Sequence, residues 1–183
     1  MSLAPRSRRF AVLVHIVSSV GWMGAIALYI ALAVSVVADN DPMVVRGALT
    51  SMRIGIWYVI VPLAALSLLT GLVVSLGTSW GLVRHYWVIF KLVLNLVAVT
   101  VLVLYTNSID YFADLASSIS ASEPVGALRN PTHLVHSIGG LVILTAAAVL
   151  SVYKPKGMTG YGQRRAQRVS QREPAADPVI AAR

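Results

Sequence analysis

Apolar residues fill four long runs of this chain, roughly residues 10–37, 54–76, 85–105 and 132–153, and the few polar residues inside them recur at helical spacing. Each run is about 21 to 28 residues long, and a helix rising about 1.5 Å per residue needs about 20 to cross a hydrocarbon core of about 30 Å. The pattern predicts an all-α polytopic membrane protein, a four-transmembrane-helix bundle forming a single domain over residues 1–153. Its backbone polar groups are satisfied within each helix. The longest connection, about 106–131, is too short for a soluble domain. Lys154-Pro155-Lys156-Gly157 stops the fourth helix, and residues 154–183, rich in Arg, Gln, Ala and Pro without apolar periodicity, predict a basic, disordered tail.

Helical phase, at about 100° per residue, sorts the polar positions into stripes. His15, Ser18, Ser19, Trp22, Ile26 and Tyr29 share one direction in the first run; Arg84, Lys91, Asn95 and Leu102 share another in the third; His133, His136, Ser137, Gly140, Ala147 and Ser151 another in the fourth. Small and polar stripes on apolar helices face other helices rather than lipid, so these faces line the bundle interior. Between the first two runs, Asp41-Pro42 has the form of an N-cap followed by proline at the first helical position. Val44, Val45, Leu49 and Met52 then predict a short amphipathic helix lying on the outer membrane surface. Pro62 lacks the N–H that would bond the Tyr58 carbonyl and predicts a bend in the second span. Gly77 and Gly81 mark the turn to the third span, with Trp80, Tyr86 and Trp87 as headgroup-level anchors. Gly21 and Ala25 form a small-xxx-small pair suited to docking a homo- or hetero-oligomeric partner.

Composition narrows the class further. The chain of 183 residues is 57% hydrophobic and 12% charged, outside the range of a soluble domain. It has no cysteine, which removes disulfides, thiolate metal ligands and cysteine nucleophiles. Of its 15 lysines and arginines, all but Arg46, Arg53 and Arg129 fall on one side of the predicted membrane, if Lys91 is counted with the inner end of its helix. Basic loops stay cytoplasmic, so the expected placement is a bacterial cytoplasmic (inner) membrane with both termini inside. Asp39, Asp41, Asp110, Asp114 and Glu123 fall outside, and Asp110 and Asp114 read as solvated loop acids. The net charge of +8 suits attraction of the tail to anionic lipid headgroups, whereas nucleic-acid binding is not implied, because orientation alone requires this bias. The first run is too long for the core of a signal peptide and is expected to stay in the mature protein.

Chemistry must come from what the spans retain. His15 follows Arg9 by six residues and Lys91 follows Arg84 by seven, placing both about 9 to 10 Å above the inner interface, where they can meet. An ionisable residue at that depth marks a functional site by default. His15, Trp22, Lys91 and Asn95 form the candidate cofactor-binding set. Imidazole suits a haem axial ligand, a proton-handling group or an interhelical hydrogen bond, and Lys91 either snorkels to the interface or is paired. His133 and His136 lie one turn apart at the opposite side, about 20 Å or more away, with Met43 and Met52 nearby; that set would suit copper(I). One metal or haem cannot serve both clusters.

The segment His15-Ile-Val-Ser-Ser-Val-Gly-Trp22-Met-Gly24 resembles the His-x6-Trp pattern that opens a set of small bacterial four-span membrane families: a predicted integral membrane family without an assigned function, the copper-resistance protein D-like family and the membrane-bound protoporphyrinogen oxidase family. The likeness continues through Arg53-Ile-Gly-Ile, Thr70-Gly71, Trp87 to Lys91-Leu92 and Lys154-Pro155. It is closest to the first family, which supplies a fold but no activity. Likeness to the oxidase family implies haem b, a porphyrinogen substrate and functional roles for His15 and Lys91. Two departures stand against that: Tyr29 is followed by Ile30 rather than Pro-Arg, and Ile89 stands where that family has a histidine. Likeness to the copper family directs attention to the outer histidines and methionines.

Overall fold

The computed structural model describes residues 4–77, 81–119 and 124–171. The readings placed on Trp80, Glu123, Arg172 and Arg183 lie outside them. Helix α1 (Pro5–Ala38) starts with proline at its first position and runs 34 residues until Asp39 turns extended. Its inward stripe is Ser18, Trp22, Ile26, Tyr29, Ala33 and Val36, while Phe10, Leu13, Val17, Val20 and Leu28 point outward. Apolar outside and partly polar inside is the inverse of a soluble bundle and fits a helix solvated by lipid.

Asp41 caps α2 (Pro42–Gly55) by accepting from the Met43 N–H at 2.8 Å. The amphipathic segment does not lie apart as a surface helix. It buries Val45, Ala48, Leu49 and Met52 against α1 and its neighbours, then continues through a π-helical turn (Ile56–Ile60) into α3 (Val61–Leu76) as one helix, Pro42–Leu76. Its apolar face finds protein rather than headgroups. The π turn ends two residues before Pro62, with the Val61 N–H reaching back to the Ile56 carbonyl, so the register slips by one residue beside the position where proline cannot donate.

Helix α4 (Tyr86–Ser118) is 33 residues long and takes in the first half of the expected connection. Thr106, Ile109, Phe112, Ala113 and Ala116 keep a three-to-four spacing and are buried, so the helix continues past the last purely apolar turn. Asp110 and Asp114 are therefore helical rather than loop acids. Asp110 accepts from Trp57 Nε1 at 3.0 Å and Asp114 pairs with Arg53 at 2.5 Å. A short 3-10 turn (Val125–Leu128) leads to α5 (Thr132–Tyr153), which ends on Lys154 in the left-handed region at φ 43°.

The segment after Pro155 is not wholly unstructured, contrary to the sequence expectation. Met158 forms a bridge with His85, and the Thr159 hydroxyl donates to the Val83 carbonyl and accepts the Gly162 N–H, opening α6 (Gly160–Ser170). Gly162 lies so close to the turn before α4 that a Cβ there would sit 2.5 Å from the Arg84 carbonyl oxygen. Capping and docking, rather than apolar periodicity, order this helix.

Among the described residues, four helices are long and apolar enough to cross a membrane: Pro5–Ala38, Pro42–Leu76, Tyr86–Ser118 and Val125–Tyr153. No strand occurs among the described residues. Each span packs against its chain neighbours and the fourth returns to the first, so α1 and α4 stand on the diagonal of a four-membered ring. The start of α1, the segment that follows α5 and the turn before α4 share one end of the bundle, here the terminal end. The opposite end is closed by Arg129, which donates to the Asp39 carbonyl and the Asn40 side chain.

Candidate functional site

The diagonal is too wide for backbone packing, so long side chains cross it. Near the terminal end, His15 of α1 reaches Lys91 of α4, with Nε2 to Nζ 3.4 Å. The other ring nitrogen is held by α3: Nδ1 lies 3.0 Å from the Ser67 carbonyl and 3.3 Å from Thr70 Oγ1. A carbonyl can only accept, so Nδ1 carries the proton and Nε2 presents its lone pair to the Lys91 ammonium. Ser19 and Ser67 share a 2.7 Å hydroxyl contact beside the ring, and the Ser18 hydroxyl donates to the His15 carbonyl. Gly71 makes the seat possible, because a Cβ there would come 3.0 Å from His15 Cε1. Asn95, one turn beyond Lys91, donates to its carbonyl at 2.8 Å.

Two cavities meet at this pair. One of about 280 Å³ is lined by His15, Trp22, Lys91 and Asn95 together, with Ser19, Ser67 and small residues of α5. The other, about 350 Å³, lies toward the terminal end and adds Arg8, Trp87 and Lys154 to His15, Lys91 and Asn95. The four residues singled out in the sequence thus share one wall. Trp22 is 2% exposed, and its Nε1 has no hydrogen-bond partner among the described residues.

At the other crossing the hydroxyls of Tyr29 and Tyr105 meet at 3.0 Å, and the Tyr105 hydroxyl also makes a short contact with His133 Nδ1. His133 is fully buried, edge-on to both Tyr105 and Phe112, while His136 stacks on Tyr105 with ring centroids 4.9 Å apart. His136 Nδ1 is occupied by the Thr132 carbonyl at 2.8 Å. Met43 is 81% exposed and Met52 is buried, and no three His, Cys, Asp or Glu residues among those described come together as a metal site. His133 and His136 both contact Tyr105. A further cavity of about 210 Å³, almost wholly apolar, lies beside this chain between Trp22, Tyr29, Tyr105 and Gly140.

Tyr105 is the residue that the sequence pattern missed. It stands 14 residues after Lys91, about 40° from it in helical phase, and so continues the Lys91–Asn95–Leu102 stripe; extending that stripe one turn would have found it. Gly21 of the small-residue pair faces Leu63 of the same chain, 3.4 Å from a Cβ built there, so it serves packing within the bundle. Comparison with family models, curated proteins and solved structures finds no match to this chain.

Proposed function

We propose that this is a multi-pass protein of the bacterial cytoplasmic membrane, both termini inside, that binds haem b or a related porphyrin between α1 and α4 in an intramembrane redox role. The observation that carries the reading is the fixed tautomer of His15: Nδ1–H is committed to the Ser67 carbonyl, leaving Nε2 as a lone pair at the junction of two cavities. Metal-ligating histidines are oriented in this way, the second nitrogen donating to a carbonyl. Gly71 supplies room for the ring and its neighbours. His15 would hold the iron, Trp22 and Asn95 would flank the macrocycle, and Lys91 with Arg8 would face its carboxylates. Haem bound there supplies one-electron transfer within the bilayer. Without it, the Lys91 ammonium covers Nε2 and keeps the imidazole hydrogen-bonded at both nitrogens.

The test is titration of detergent-purified protein with haem and, separately, with metal-free protoporphyrin. The expected result is saturable binding of one haem per chain, weakened about tenfold or more by His15→Ala, with a smaller effect on the metal-free ring. Haem binding unchanged in His15→Ala would sink the assignment.

A further inference from the structure

We infer that the cavity at the terminal end is a binding site for an anionic amphiphile, an oxyanion head carried on an apolar body. Arg8, Lys91 and Lys154 line it from three different helices or helix ends, and none of the described aspartates does. The described acids Asp39, Asp41, Asp110 and Asp114 all stand at the opposite end of the bundle, and Lys91 has no carboxylate within ion-pair distance among the described residues. Among the described residues its Nζ meets the neutral acceptor Nε2 of His15. A cation partly withdrawn from water with no counter-charge is costly, and converging positive groups in a half-enclosed, low-dielectric site add their fields. An oxyanion placed among them removes that cost and gains charge-assisted hydrogen bonds, with the arginine fork matched to carboxylate or phosphate.

The remaining walls say what the anion is attached to. Leu68, Leu72 and Leu92 line the same cavity, so a free hydrated ion would leave apolar surface unfilled and a plain hydrocarbon would leave the Lys91 ammonium without a counter-charge. An amphiphile satisfies both. Two sources fit this chemistry, the phosphate of a phospholipid and the carboxylates of a porphyrin, and the site does not require a tetrapyrrole in the adjoining cavity.

The full chain is reconstituted in nanodiscs of equal phosphatidylglycerol and phosphatidylcholine, transferred to neutral maltoside, and its retained lipid counted by native mass spectrometry. The expected result is about one phosphatidylglycerol per chain in preference to phosphatidylcholine, retention falling about tenfold in Lys91→Met and restored in Lys91→Arg. Arg8→Gln, at an exposed position outside the core, should reduce retention several-fold and covers the case in which Lys91→Met does not fold. Displacement of that lipid by protoporphyrin free acid, but not by its dimethyl ester, identifies the carboxylate source; retention of the phospholipid against both identifies the phosphate source. Equal retention of the two lipids, or retention indifferent to both Lys91→Met and Arg8→Gln, overturns the site. Lipid selectivity lost while haem still binds would remove this inference alone, and the converse would remove only the haem reading.

Discussion

A single hydroxyl joins three spans. Tyr105 stands between Tyr29 and His133, and replacing it by phenylalanine leaves two buried polar groups without their partner while keeping the ring that His136 stacks on. Unpaired buried groups of this kind cost about 1 to 3 kcal/mol, so Tyr105→Phe should lower the detergent melting temperature measurably, whereas Tyr111→Phe at an exposed site should not. Gly71→Ala tests the other crossing. Its Cβ would press on His15 Cε1 from 3.0 Å, displacing the imidazole from the Ser67 carbonyl. The expected outcome is weaker haem binding with little loss of helix content by circular dichroism, and unchanged binding would show that the position of the ring is not critical. His15, Lys91 and Asn95 were legible from phase and depth because each is a polar residue on an apolar helix. Tyr105 was not, because a tyrosine at the end of an apolar run reads as an interfacial anchor.

At the scale of elements, the apolar runs located every span but misjudged where helices stop. Hydropathy falls at Asp110 and Asp114, yet both acids sit on the face turned toward Trp57 and Arg53, so the helix carries on while the apolar signal fades. Amide hydrogen exchange should therefore protect residues 106–116 as α4 and not as a loop. The Arg53–Asp114 pair is itself solvent-exposed, with side chains 43% and 73% accessible, so Arg53→Ala should cost less than about 1 kcal/mol. The cap at Asp41 was legible because Asp-Pro states both the cap and the first position of the helix. The π turn was not: proline announces a missing donor but not which of bend or register slip will absorb it. The α6 helix was hidden for a different reason, since Thr159 and Gly162 order it through contacts with Val83 and Arg84 that lie far away in sequence.

For the whole molecule, we propose, from the bias of the basic residues, that the terminal end of the bundle faces the cytoplasm. The absence of cysteine makes the assignment directly testable. With a membrane-impermeant maleimide on intact spheroplasts, Asn40→Cys should label and Ala4→Cys should label only after permeabilisation; the reverse pattern would invert the topology. The same ring that sets the topology leaves α1 and α4 apart on a diagonal, and that gap is what makes room for polar side chains and cavities inside an apolar bundle. The claim that this interior is a redox cofactor site is tested most directly by the absorption spectrum of the purified protein, oxidised and dithionite-reduced, beside His15→Ala. The account predicts a Soret band with sharpened α and β bands on reduction, lost in the variant. A colourless wild-type protein that also fails to take up added haem would contradict it.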